Sequence, residues 1–134
     1  MDADMYADEL IEQYEHPHNN GVIKDADGEM HEHNPLCGDE ITMYFSLKGN
    51  QISDIKFSGS GCVISMSTAS KLTDFVKGMP LDKLEKMGVK DIIDLIGIDP
   101  GPARLKCATL SLRALKEAAF VYEHRAIDEE TKKL

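Results

Sequence analysis

The sequence predicts an α+β fold, a small antiparallel sheet of about three strands with helices packed on one face. Two observations carry that expectation. Ile41, Met43, Phe45 and Leu47 alternate with Thr42, Tyr44 and Ser46, the period of a half-buried strand. Gly49-Asn50 then turns the chain back into a second run carrying Ile52, Ile55 and Phe57, so the pairing is antiparallel. Beyond these strands the apolar spacing becomes helical, and strands followed by helices point to an α+β layer rather than to alternating crossovers. A length of 134 residues suits one domain, residues 1–134, with a modest core.

Each element has its own signal. From about Asp4 to Glu15, Tyr6, Leu10 and Tyr14 recur at four-residue spacing with Ile11 beside them, a helix that "HPHNNG" (His16 to Gly21) terminates. A short polar strand or loop follows, from about Ala26 to His33. The strands over 41–47 and 51–58 come next, and "SGSGC" breaks their pattern. Ile64, Leu72, Phe75 and Val76 predict a helix from Val63 to Lys77, with Gly78 just past its end and Pro80 barring continuation. Leu81 to Met87 reads as a short helix and "DIIDLIG" as another. The last helix places Leu105, Ala108, Leu112, Leu115, Ala119 and Tyr122 on one face, and the tail "HRAIDEETKKL" reads as charged and frayed.

A formal net charge of −9 argues against a nucleic-acid backbone as partner and favours cations or a basic protein surface. The acidic start "MDADMYADELIEQYEHP" lacks the basic and apolar regions of a signal peptide. No apolar run approaches the roughly 20 residues that span a bilayer, so the expected location is cytoplasmic. No nucleotide loop, flavin or nicotinamide fingerprint, nucleophile elbow or EF-hand is visible, and no catalytic residue is assigned.

The three cysteines carry the chemistry. Cys37, Cys62 and Cys107 are too far apart for a Cys-x₂-Cys zinc site and too few for a disulfide framework. Free cysteines are often small core hydrophobes, yet none of these lies on an apolar stripe. Cys37 stands at a turn between Pro35 and Gly38. Cys62 follows "SGSG" at a helix start, where unpaired N–H groups favour a thiolate. Cys107 falls roughly 200° round from Leu105 on a 3.6-residue helix, beside Lys106 and Arg104, whose charges would lower a thiol pKa. Three thiolates on separate loops suit Zn²⁺, Cu(I) or an iron–sulfur cluster. Asp39 is the candidate fourth ligand, and glycines 38, 59 and 61 leave room for a bulky inorganic group.

"NPLCGD" (Asn34 to Asp39), "GSGCVISMSTAS" (Gly59 to Ser70), "RLKCATLSLRAL" (Arg104 to Leu115) and "YEHPHNNG" (Tyr14 to Gly21) resemble the signature segments of iron–sulfur cluster assembly scaffolds: IscU, SufU and the N-terminal domain of NifU. The resemblance spans nearly the whole chain. It implies that Cys37, Cys62 and Cys107 hold a nascent [2Fe–2S] cluster, with Asp39 as a ligand or as the group that keeps the cluster labile. It also implies a cysteine desulfurase and acceptor apoproteins as partners; the expected oligomeric state is a monomer or homodimer. The alternative is a zinc-dependent sulfurtransferase of SufU type. "KCATLS" is closer to SufU, but the stretch from Cys62 to Cys107 is too short for the insertion SufU carries. Three positions depart from the IscU pattern. Lys106 stands where IscU has a histidine, "PGPAR" (Pro100 to Arg104) keeps only Pro102 and the basic Arg104 of the chaperone-recognition segment, and His18 replaces an arginine.

The remaining candidates have simpler readings. His31 and His33 share one strand face at a spacing compatible with metal binding, but exposed polar strand residues are commoner. His16, His18 and His124 read as surface residues, and Met43, Met66, Met79 and Met87 as core filler. The small residues of "SMSTAS" read as a close helix-packing surface.

Overall fold

Residues 41–47 alternate because they form the middle of a three-stranded antiparallel meander in the computed structural model, which describes residues 3–134, with side chains from residue 7 onward. The expected contribution of Tyr6 lies outside the described side chains. In chain order the elements are α1 (Ala3–Glu15), β1 (Gly28–Asn34), β2 (Asp39–Lys48), β3 (Gln51–Ser60), α2 (Val63–Val76), α3 (Leu81–Glu85), α4 (Val89–Ile96), α5 (Leu105–Tyr122) and α6 (Glu129–Lys132). The sheet order is β1-β2-β3, and helices pack on its apolar face.

Register follows from the alternation. Met43 sits opposite Met30 and Phe57, and Phe45 opposite Gly28 and Ile55, so one face of the sheet is apolar throughout. Ile41, Met43, Phe45, Ile52, Ile55 and Phe57 are all buried there. Lys48 pairs with Gln51, confirming the two-residue turn at Gly49-Asn50. The free edge of β3 is covered by loop backbone. Gly21 N–H donates to Phe57 O (2.8 Å), Phe57 N–H to Asn19 O (3.0 Å), Ile52 N–H to Met79 O (2.9 Å) and Gly78 N–H to Ile52 O (2.7 Å). An uncovered edge would invite pairing with another chain.

Helix α2 uses "SMSTAS" as the sequence suggests. Ser65, Ser67, Thr68 and Ser70 are buried, Ser67 Oγ donates to Leu10 O of α1, and Ser70 Oγ to Gln13 Oε1. Small hydroxylated residues let the two helices approach closely while each hydroxyl finds a partner. Phe75, read as part of the apolar face, is instead 54% exposed.

Helix α5 differs from the sequence reading. It was expected to bury one stripe, but every residue from Cys107 to Phe120 except Arg113 is buried. The sheet lies on one side, α2 on another, and α3, α4 and α6 close the rest. A helix enclosed in this way must satisfy its polar side chains internally. Lys116 Nζ donates to Met87 O at 2.7 Å, and burial lowers its pKa. The tail also departs from expectation. It is docked, because Asp128 Oδ1 caps α6 by accepting from Thr131 N–H (2.9 Å) while Thr131 and Leu134 are buried.

Glu117 of α5 faces Glu32 of β1, with Arg113 Nε 3.6 Å from Glu32 Oε2 and 3.7 Å from Glu117 Oε2. Burial, then the neighbouring Glu32, push the Glu117 carboxyl up from 4.5 to about 7. The folded protein therefore holds this proton more tightly than the unfolded chain does. The stability it contributes is full below pH 4.5 and declines as pH rises through about 7. Glu117→Gln should flatten the fall in melting temperature between pH 5 and 8 and stabilise the protein at pH 8 by about 1–3 kcal/mol. Thermal unfolding followed by circular dichroism across that range is the check.

Candidate metal centre

Cys37, Cys62 and Cys107 come from three different kinds of local structure, and Asp39 is where they meet. Cys37 lies in the four-residue connection between β1 and β2. Asn34 O accepts from Cys37 N–H (3.3 Å) and Gly38 N–H (2.9 Å), and Asn34 Oδ1 accepts from Leu36 N–H (3.1 Å). Gly38 has φ +71°, a conformation that a side chain would strain, and this lets the loop reverse directly after Cys37. Cys62 is the N-cap residue of α2, as its sequence position predicts. Cys107 is the third residue of α5.

Asp39, the first residue of β2, is 1% exposed. Its Oδ1 accepts from Cys62 N–H at 2.9 Å. Its Oδ2 lies 3.3 Å from Cys37 Sγ and 3.7 Å from Cys62 Sγ. Cys37 Sγ is 2.9 Å from Cys107 Sγ. Ligand atoms of Cys37, Asp39 and Cys107 all lie within 4.8 Å of one another, and Cys62 Sγ stands outside that group but against the same carboxylate oxygen. Burial alone would raise the Asp39 pKa. The Cys62 N–H and the surrounding thiols outweigh it and hold the carboxyl below its ordinary value.

Two readings of Cys107 need correction. It is 2% exposed rather than outside the apolar surface of its helix, because α5 is buried nearly all round. Its thiol is pushed up rather than down. Burial is the main cause, followed by the Cys37 and Asp39 contacts and by the Cys62 and Asp39 charges. Lys106, adjacent in sequence, turns its Nζ to main-chain oxygens of the tail, 3.1 Å from Leu134 O. A cation aimed elsewhere does not offset the buried carboxylate.

Sequence reasoning missed two contributors. Asn34 is buried and its Nδ2 lies 3.6 Å from Cys107 Sγ, so one side chain links the Cys37 loop to the third thiol. Its place at the start of "NPLCGD" was the available signal. Ser65 Oγ donates to Cys62 O (3.1 Å) and sits 3.7 Å from Cys62 Sγ. Elsewhere, His31 and His33 are exposed, their rings stacked 6.5 Å apart, and belong to no metal-competent cluster among the described residues. His18 Nδ1 pairs with Asp74 Oδ2 at 2.5 Å, which ties the first loop to α2. A second group, Glu12, Glu15 and His16, gathers on the exposed end of α1, a placement that their helical spacing could have shown.

This chain is similar throughout to proteins of one kind. The family model described as the NifU-like N terminal domain matches residues 5–129. The iron–sulfur cluster assembly scaffold protein IscU 1 of Archaeoglobus fulgidus is 35% identical over 118 residues, covering 88% of this chain and 76% of its own length. The zinc-dependent sulfurtransferase SufU of Bacillus subtilis is also 35% identical, over 130 residues that cover 84% of this chain and 88% of SufU. A nitrogen-fixing NifU-like N-terminal structure from Brucella abortus shares the fold, with a TM-score of 0.75 at 18% identity over 92% of this chain and 97% of that one.

A Cβ added at Gly61 would lie 2.5 Å from Ser65 Oγ and 2.7 Å from Asp39 Oδ1. Gly61→Ala should therefore displace the Asp39 carboxylate and weaken zinc binding by about ten-fold, the equivalent of losing one charge-assisted contact. A competition titration against a chromophoric chelator measures this. Unchanged affinity would show that Asp39 need not sit where it does.

Proposed function

The chain belongs to the NifU-like N-terminal domain family, and from that premise we propose that residues 1–134 form one iron–sulfur cluster assembly scaffold domain. The observation that carries this reading is the meeting of three cysteine thiols and one buried carboxylate at a single corner of the fold. Cys37, Cys62 and Cys107 would hold a [2Fe–2S] cluster as cargo, with Asp39 as the fourth protein ligand. Iron–sulfur clusters normally take four protein ligands, and this chain supplies three cysteine thiolates. A hard carboxylate oxygen among soft thiolates binds iron less firmly than a fourth sulfur would, and this suits a cluster that must leave. Lys106 is not a ligand while protonated, because an ammonium has no lone pair.

Sulfur would arrive from a cysteine desulfurase as a persulfide. A scaffold thiolate attacks the outer sulfur, a new S–S bond forms, the desulfurase S–S bond breaks, and its thiolate leaves with the electron pair. Each sulfur delivered this way needs two electrons from an external thiol or electron-transfer protein to become sulfide. Cys37 is the exposed thiol of the three and the natural point of entry, whereas Cys107 is buried. Acceptor apoproteins would then take the finished cluster. Three free cysteines fit a reducing, cytoplasmic setting.

A zinc-dependent sulfurtransferase is the second reading, favoured by the SufU relative and by the "KCATLS" run around Cys107. Against it stand the similar proteins named as iron–sulfur cluster assembly scaffolds, IscU 1 of Archaeoglobus fulgidus among them. In this reading the protein accepts and passes persulfide sulfur with zinc in place. In the scaffold reading it is a carrier rather than an enzyme.

The two readings separate in one experiment. Protein purified anaerobically is supplied with ferrous iron, cysteine, desulfurase and reductant, followed by an apo-ferredoxin. A brown protein with equal iron and labile sulfide that loads the ferredoxin supports the scaffold. A colourless protein with one bound zinc that passes persulfide, with no cluster at any stage, overturns it. Asp39→Ala should keep the fold and change the rate of cluster loss by about ten-fold. A wild-type rate would remove Asp39 from the ligand set.

A further inference from the structure

We infer that Lys106 is a positioning residue, and that the segment Asp128–Leu134 is a clamp it latches against the Cys107 corner. The significance of this clamp for cluster handling rests on the scaffold reading above. Lys106 immediately precedes Cys107. Its Nζ donates to the main-chain oxygens of Lys133 and Leu134, the latter at 3.1 Å. The segment is folded on itself by the Asp128 cap on Thr131 N–H (2.9 Å) and by Leu134 N–H donating to Thr131 O (3.2 Å), and it is docked on the rest of the molecule by burial of Thr131 and Leu134 at 0% and 5% exposure. A segment whose polar composition predicts fraying is thus docked at two buried points.

Its docking place is the reason to assign it a role. Leu134 lines a cavity of about 190 Å³ together with Asn34, Pro35 and Leu36 of the Cys37 loop and Lys106 and Leu110 of α5. Three segments far apart in sequence meet there, and two of them carry thiols. Asn34 closes the circuit through its contact with Cys107 Sγ at 3.6 Å. The first turn of α5 has no side-chain cap at Arg104, so its start lacks the usual local fastening. The Lys106 latch supplies an anchor from outside the helix. It holds the backbone that carries Cys107 against the loop that carries Cys37, without touching either sulfur.

The test compares three forms of the apo protein: wild type, Lys106→Met and Lys106→Arg. Each is pulsed with iodoacetamide, and alkylation is mapped by mass spectrometry at each cysteine. Lys106→Met removes the donor while keeping the stem, and should speed Cys107 alkylation about five-fold, the opening expected from losing one net hydrogen bond of about 1 kcal/mol. Cys62 should be unaffected, and Lys106→Arg, which still donates, should return Cys107 to the wild-type rate. After anaerobic reconstitution the visible circular dichroism of Lys106→Met should also differ from wild type, and that of Lys106→Arg should not. Unchanged Cys107 alkylation in Lys106→Met overturns the clamp. So does equal acceleration at all three cysteines, which would mark general loosening. Leu134→Ser is the second probe and should mimic Lys106→Met; a wild-type Cys107 rate there equally overturns the clamp. The alkylation arm involves no cluster, so a wild type that binds none would remove the scaffold reading and leave this comparison decisive.

Discussion

The hydrogen bond from Cys62 N–H to Asp39 Oδ1, 2.9 Å long, joins the first residue of the central strand to the first turn of α2. A carboxylate buried to 1% exposure is costly unless its oxygens are satisfied. An N–H at a helix start has no partner within its own helix and points outward with the positive end of the helix dipole. Each group answers the need of the other. Once the bond forms, Oδ2 is turned toward Cys37 and Cys62, so the placement of two thiols follows from the satisfaction of one carboxylate.

The same geometry moves two acidities in opposite directions. Asp39 is held below its ordinary value because donors surround it, and Cys107 is pushed up because burial and that charged carboxylate oppose a second anion. The corner thus sets a carboxylate held in its charged form beside a buried thiol, Cys107, held in its neutral form. A cation that entered would displace the Cys107 proton, the usual coupling between metal binding and proton release. Cys37, exposed on its loop, and Cys107, buried in α5, differ in access though their sulfurs are 2.9 Å apart.

Helix α5 organises the rest of the molecule. It contacts β1 and β2, α2, α3, α4 and α6, and so buries residues that a surface helix would leave in water. Lys116 donates to the Met87 carbonyl, while Glu117 sits beside Glu32 with its carboxyl raised to about 7. Tyr122, at the last turn, sets its ring edge-on to Phe45 at 6.1 Å and links the helix end to the centre of the sheet. Enclosure on every side fixes the direction of α5, and with it the position of Cys107 at its start.

The strands, the turn at Gly49-Asn50, the N-cap position of Cys62 and the helix-packing role of "SMSTAS" were all legible in the sequence. Each depends on a period or on neighbours a few residues away. Asp39 could be singled out from its place two residues after Cys37. The burial of Cys107 could not, because a one-helix projection shows which residues share a face and not how many faces are covered. The direction of its acidity went the same way. Lys106 is adjacent in sequence, but its ammonium points to the tail, and burial decides the direction, helped by Cys37 and Asp39 from 70 and 68 positions away. Asn34 likewise became a site residue only when β1 and α5 were brought together, and the tail read as frayed until Thr131 and Leu134 found a surface to bury against. Local rules set which elements form and which residues stand at their ends. Packing alone set which charges face one another, because electrostatic and desolvation effects depend on distance through space rather than along the chain.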